Sequence, residues 1–413
     1  MKAGFTSIQW IVLVLLLGVV SACSFSEGSG NLLGAGSVPP GAMSGNAVER
    51  SSGLTAGSLN GTGEGDSFDG GAAKGVSESN DDGMQAAASS DADNPIIVGF
   101  SMDTFQEERW MKDRDMFKEA ALALGAQVRI MVADGDDAKQ IEQAETMISE
   151  GVDVLVVVPH NAEATAAIVQ KAHAAGIKVV SYDRMIKNAD VDLYVSFDNV
   201  EVGELQAKAI TRLVPKGKYV YIGGADTDNN AHMFKKGVFN VLQPLIDKGD
   251  ITVVYDQWSK DWRPANALTN MREALKSNGN RIDAVIAAND ATAGSVVQAL
   301  AEQGLAGRIP VAGQDADLAG AQRIVEGTQT MTVYKPIKRL AETAAELAVK
   351  LAKGETVDAD RKVNNGKTEV PSVLLSPIAV DKENIDDTVI ADGFHAREDV
   401  YKSGSGFFTT LSP

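Results

Sequence analysis

The sequence holds one cysteine in 413 residues, at position 23. One thiol cannot close a disulfide within the chain or build a cysteine-based zinc site, so neither staple holds the fold. Basic residues are also scarce: 38 Lys and Arg stand against 56 Asp and Glu, for a formal net charge of -18. They form no cluster, which argues against a nucleic-acid or anionic-lipid surface, because phosphate binding draws its affinity from grouped cations. The four histidines, His160, His173, His232 and His395, are scattered without HExxH or paired spacing, so they lack the pattern of a metal site. No G-x-S-x-G elbow is present, which removes one route to a serine nucleophile. Gly366-Lys367-Thr368 imitates the end of a phosphate-binding loop, but Arg361 stands where its first glycine belongs. Residues 315–320 approach a calcium loop, but Ala319 removes a ligand from it. The apolar run at residues 11–20 is half the roughly 20 residues that a membrane-spanning helix takes.

That run follows Lys2 and meets the small residues Ser21-Ala22 before Cys23, so residues 1–22 read as a signal peptide. Val20-Ser21-Ala22-Cys23 resembles the lipobox of bacterial lipoproteins, in which the cysteine is lipidated and becomes the new N-terminus. The expectation is a protein tied through Cys23 to the outer face of the cell membrane. Residues 23–93 then carry Gly, Ser, Ala and Asn with almost no apolar periodicity, including 15 of the 40 glycines. Such a composition buries too little surface to offset chain entropy, and it reads as a disordered tether. A flexible coil of that length spans roughly 45 Å from end to end.

From residue 95 onward, short β-branched runs alternate with stretches of helical periodicity. Strands are predicted at 96–101, 127–133, 154–159, 178–182, 194–197, 218–222, 251–256, 284–288, 310–313 and 331–334. Helical stretches include 107–124, 138–150, 163–175, 266–277 and 291–303. This alternation implies βαβ units and parallel sheets, in one barrel or in two doubly wound sheets. The second half repeats the first, each with a strand ending in a polar pair (His160-Asn161 and Asn289-Asp290), which favours two similar α/β lobes.

Ligands of open parallel sheets bind beyond the carboxyl ends of the strands, where the βα loops and helix N-termini converge. Those positions hold Asp103, Phe105, Arg109, Trp110, His160, Asn161 and the Asp183-Arg184 doublet in the first half. The second half supplies Asp228-Asn229-Asn230, Trp258, Trp262, Asn289-Asp290, Gln314-Asp315 and Lys335. Planar amides, carboxylates and guanidinium groups pair with adjacent hydroxyls, and indole faces cover apolar C–H faces, so the set suits a neutral polyol. Each Asn or Asp taken singly is equally well a helix N-cap, and the doublet equally well a local ion pair. Gly223-Gly224 after a strand fits phosphate binding or simply a close backbone approach.

Residues 108–115, 182–186, 196–199, 202–207, 289–294, 313–320, 327–336 and 392–395 together resemble the periplasmic sugar-binding proteins of ABC transporters, in the ribose/galactose-type group and nearest to its D-xylose-binding members. The resemblance implies two Rossmann-like lobes of the type I periplasmic binding protein fold, joined by a three-stranded hinge crossing near 199–202, 334–337 and 372–377. The lobes would comprise 94–200 with 337–374, and 201–336 with 375–396, leaving 397–413 as a tail. It further implies that Arg109, Asp183, Arg184, Asn230, Asn289, Asp315 and Lys335 hydrogen-bond a pyranose while Trp110 and Trp262 sandwich it. The implied protein is a monomer that needs no cofactor or metal, performs no catalysis, binds D-xylose and delivers it to an ABC permease. Signalling to a membrane kinase or chemoreceptor would use the same closed-lobe surface, so the sequence leaves that alternative open. A transcription regulator would need a helix-turn-helix where the acidic tether stands.

Overall fold

Apolar runs too short for helices form the first five strands: β1 (Ile97–Met102), β2 (Gln127–Val132), β3 (Val154–Val157), β4 (Lys178–Tyr182) and β5 (Leu193–Phe197). Helices α1 (Arg109–Ala123), α2 (Asp137–Ser149) and α3 (Ala166–Ala174) alternate with them. Every residue of β3 and β5 is buried, as strands covered by helices on both faces must be. The structure is a computed structural model that describes residues 95–402. The expected signal peptide, Cys23 and the tether lie outside the described residues, as does the tail from 403.

The pattern then repeats: α4 (Asn199–Leu213), β6 (Gly217–Gly223), α5 (Asn229–Asp247), β7 (Ile251–Trp258), α6 (Pro264–Asn278), β8 (Ala284–Ala287), α7 (Asp290–Ala301), β9 (Val311–Ala312), α8 (Leu318–Glu326) and β10 (Met331–Tyr334). The chain closes with α9 (Ile337–Ala352), β11 (Arg361–Asn364), β12 (Glu369–Leu375), β13 (Ile378–Asp381) and α10 (Arg397–Val400). One sheet has the order β11-β12-β5-β4-β3-β1-β2 and the other β13-β10-β9-β8-β6-β7. All neighbours run parallel except β11 with β12 and β10 with β13. Two doubly wound sheets, and not a barrel, are therefore the architecture. The chain changes sheet three times, after β5, after β10 and after β12.

Each sheet is packed on both faces. In the first lobe, Phe117 of α1 and Leu340 of α9 cover Phe100 and Tyr182, while Met147 and Ile168 cover Leu155 and Val179 on the other side. In the second lobe, α4 and α5 cover Tyr219 and Tyr221, and α6 and α7 cover Val220 and Ile222.

Three strands, β11 to β13, go beyond those predicted. β12, with a proline inside it, continues the first sheet in parallel beside β5, while the four-residue β11 and β13 add an antiparallel edge to each sheet, where periodicity is weak. The expected tail also begins later than 397. Val400 of α10 is fully buried against Ile324 and Val389, and Gln322 of α8 donates to the Asp399 carbonyl, so apolar burial extends the second lobe through α10.

Helices α4 and α5 approach through glycine. A Cβ built on Gly203 would fall 2.0 Å from the Phe234 carbonyl oxygen, and one on Gly237 would fall 2.0 Å from that of Val200. Backbone cannot yield as a flexible side chain does, so Gly203→Ala or Gly237→Ala should each destabilise the protein by about 1–3 kcal/mol in denaturant unfolding. Unchanged stability would show that the two helices can separate without loss.

Candidate functional site

The carboxyl ends of the parallel strands in both sheets face one cleft. All nine residues singled out from the sequence, Arg109, Trp110, Asp183, Arg184, Asn230, Trp262, Asn289, Asp315 and Lys335, line a single narrow pocket there, together with Glu107, Asp228, Phe234 and Gln314. Trp258 does not line it. Its ring lies instead against Gly223 and beside the Lys235 ammonium, outside the site in which its loop position placed it.

Charge is arranged across the cleft. Arg109, at the start of α1, reaches Asp113 at 3.0 Å, Asp183 at 2.8 Å and Asp315 of the other lobe at 3.5 Å. Arg184, after β4, reaches Asp103 at 2.6 Å and Asp228 of the other lobe at 2.9 Å. The Asp183-Arg184 doublet is thus no local ion pair; each member looks to a different partner. Lys335, just past β10, holds Asp315 at 2.9 Å. Burial disfavours the charge on Arg184, but Asp228 and Asp103 outweigh it and hold the guanidinium above its usual value. Burial likewise opposes ionisation of Asp183, yet Arg109, Lys335 and Arg184 together keep it below the usual carboxylate range. At Asp228 burial wins over Arg184 and raises the carboxyl.

Both indoles are anchored by carboxylates. Trp110 Nε1 donates to Glu107 at 2.8 Å and Trp262 Nε1 to Asp228 at 3.1 Å. A Cβ on Gly224 would fall 2.1 Å from the Trp262 ring and one on Gly223 2.6 Å from the Trp258 ring, so close approach of the two indoles accounts for the Gly223-Gly224 pair. Asn289 combines the two roles that the sequence left open. Its Oδ1 caps α7 by accepting from Thr292 N at 2.9 Å, which leaves Nδ2 as the end free for a ligand. Asn230 Nδ2 instead crosses the cleft to Asp183 Oδ1 at 3.0 Å and to the Asp183 carbonyl at 3.1 Å.

Asp183, Trp262 and Asp315 have φ of 58°, 57° and 92°, the left-handed region that non-glycine residues enter at a cost of order 1–3 kcal/mol. Surrounding bonds hold them there. The Asp183 carbonyl, for example, accepts from Tyr194 Oη at 2.9 Å and Ser196 Oγ at 2.5 Å. Glu107 and Phe234 line the pocket beyond the residues expected from the sequence, and Asp228 and Gln314, expected only as strand-end residues, line it too. Glu107 lies three residues before Trp110 in the turn that leads into α1, where the Trp110 N–H donates to its carbonyl at 3.2 Å. Phe234 on α5 reads as ordinary core. Gln314 is buried, and its Oε1 has no partner among the described residues.

Comparison with known proteins adds the following. Residues 98–356 match the periplasmic binding protein domain family. The D-xylose-binding periplasmic protein of Haemophilus influenzae is 54% identical over 306 residues, covering 74% of this chain and 92% of that protein. The D-xylose-binding periplasmic protein of Escherichia coli is 54% identical over 305 residues with the same coverage. A solved carbohydrate transporter solute binding protein from Chloroflexus aurantiacus, in complex with D-glucose, superposes with a TM-score of 0.69 at 32% identity, covering 74% of this chain and 98% of that one.

His160 and Asp103 sit beside the cavity, with Nδ1 2.9 Å from a carboxylate oxygen. The Asp103 carboxylate facing it raises the imidazole above its ordinary 6.5, against burial. A raised folded-state value gives stability that is complete below the ordinary value and is lost as pH climbs through the raised one. The stability advantage of wild type over His160→Gln should therefore be largest in acid and fade on titration from about pH 5.5 to pH 9. A difference that stays constant with pH would contradict it.

Proposed function

Since the chain belongs to the periplasmic binding protein family, we propose that it is the receptor of an ABC sugar importer, capturing D-xylose between its lobes and presenting the closed form to the permease. The observation that carries the capture reading is the set of buried charges that meet across the cleft, Arg109 with Asp315 and Arg184 with Asp228. A neutral sugar entering among them supplies hydroxyls that both donate and accept, so each charged group gains bonds without adding a charge. The choice of D-xylose rests on the likeness to the D-xylose-binding relatives, which runs through both lobes.

In this reading Arg109, Asp183, Arg184, Asn230, Asn289, Asp315 and Lys335 bond the ring oxygen and hydroxyls, and Trp110 and Trp262 cover its two faces. The contacts come from both lobes, so the sugar binds the closed form better than the open one and shifts the equilibrium by that difference. Lys335 lies in one of the segments that join the lobes, which links hinge position directly to the site.

Calorimetric titration with D-xylose, D-glucose, D-ribose and L-arabinose should show the tightest binding for D-xylose; absence of that preference would sink the substrate assignment. Arg184→Ala should lose about 2–5 kcal/mol of binding free energy, because truncation leaves Asp103 and Asp228 without their buried partner. Wild-type affinity in that variant would remove Arg184 from the site.

We further propose that the cysteine following Val20-Ser21-Ala22 carries lipid, holding the receptor at the outer face of the membrane on a tether. The support is its placement directly after an apolar run bounded by small residues. Cys23→Ser should move the protein from the membrane fraction to the soluble fraction of fractionated cells; an unchanged distribution would end the anchor reading.

A further inference from the structure

Asn289 and Asp290 are neighbours after β8, but only Asn289 lines the cavity. Asp290 is fully buried, beneath the loop 313–317 that carries Gln314 and Asp315. Its Oδ2 accepts from Asp317 N at 3.0 Å and Thr332 Oγ1 at 2.9 Å, and its Oδ1 accepts from Gln329 Nε2 at 2.6 Å. Thr332 Oγ1 accepts in turn from Ala316 N at 3.1 Å. The Asp290 backbone joins in, its N–H donating to the Gln314 carbonyl at 2.9 Å. A Cβ on Gly313 or Gly320 would fall 2.1 or 2.4 Å from an Asp290 carboxylate oxygen, so both glycines let the backbone settle onto the carboxylate.

The loop needs such a hold. Asp315 and Ala316 have φ of 92° and 53°, two consecutive non-glycine residues in the left-handed region, which side chains enter only when the surroundings hold them there. Successive N–H groups turned toward one anion are a recognised way to fix such a turn, and here the Ala316 and Asp317 amides converge on Thr332 and Asp290. The result is seen at the tip, where the Asp315 carboxylate lies 2.9 Å from Lys335 Nζ and 3.5 Å from Arg109 Nη1 of the opposite lobe.

We propose that Asp290 is a positioning residue of the binding site, its buried carboxylate locking the left-handed turn that aims Asp315 across the cleft. This rests on the sugar-site reading above for its effect on affinity, though not for the lock itself. Burial pushes Asp290 up to about 7 against the opposing Arg323 charge and the bonds from Gln329 and Thr332.

The test is a double-mutant cycle on the full chain, with D-xylose titration and thermal unfolding of wild type, Asp290→Asn, Asp315→Asn and the double variant. Asp290→Asn should weaken D-xylose binding by about tenfold or more alone, and by less than about twofold in the Asp315→Asn background, because both act through one carboxylate. Losses that multiply would mean that Asp290 merely supports the lobe, and wild-type affinity in Asp290→Asn would likewise overturn the proposal. Should Asp290→Asn fold poorly, Thr332→Val removes the link to Ala316 and should show the same coupling to Asp315. Amide hydrogen exchange without sugar separates this idea from the substrate assignment. Asp290→Asn should lose protection at the Ala316 and Asp317 amides while the strands keep theirs, whatever the ligand, and unchanged protection at those two amides would refute the lock.

Discussion

Two guanidinium groups, Arg109 and Arg184, are buried where the lobes meet, and a buried charge is tolerated only with counter-charges close by. Each arginine takes some carboxylates from its own lobe and one from the other. The shared carboxylates, Asp315 and Asp228, tie lobe closure to charge neutralisation: separating the lobes strips each arginine of one partner and returns that face to water. A ligand that bonds the same groups acts on the same balance, and so binding and closure are one process.

The rest of the molecule serves to place these groups. Parallel strands in both sheets end at the cleft, and the residues just past them start helices or tight left-handed turns. Strain at Asp183, Trp262 and Asp315 shows that placement outweighs local comfort there. Glycine appears where something must come close: Gly224 under the Trp262 ring, and Gly313 and Gly320 against Asp290. The same device joins α4 to α5 at Gly203 and Gly237, which gives the second lobe a rigid base behind the site.

Much of this was legible in the sequence. The ten β-branched runs mark the strands of both parallel cores, because a strand covered on both faces must be apolar along its length. The residues that line the cleft were legible for a related reason: the ends of parallel strands are where polar groups can collect, and Arg109, Asp183, Asn289 and Asp315 fall at such ends. Strands β11 to β13 were not legible, since their pairing is decided by the sheet they join and not by their own pattern. Phe234 and Glu107 were passed over because an aromatic on a helix and an acid at a helix start have ordinary uses.

The sequence by itself determined the fold class, the strand ends that hold the polar groups and the family. Those follow from periodicity, turn residues and local motifs, each written within a few neighbouring positions. Only the tertiary structure decided which charge faces which. Asp183 and Arg184 are adjacent in the chain yet point to different partners, and Arg109 meets Asp315 across more than two hundred residues. Such pairings depend on how two separately wound sheets come together, and no local pattern contains that distance.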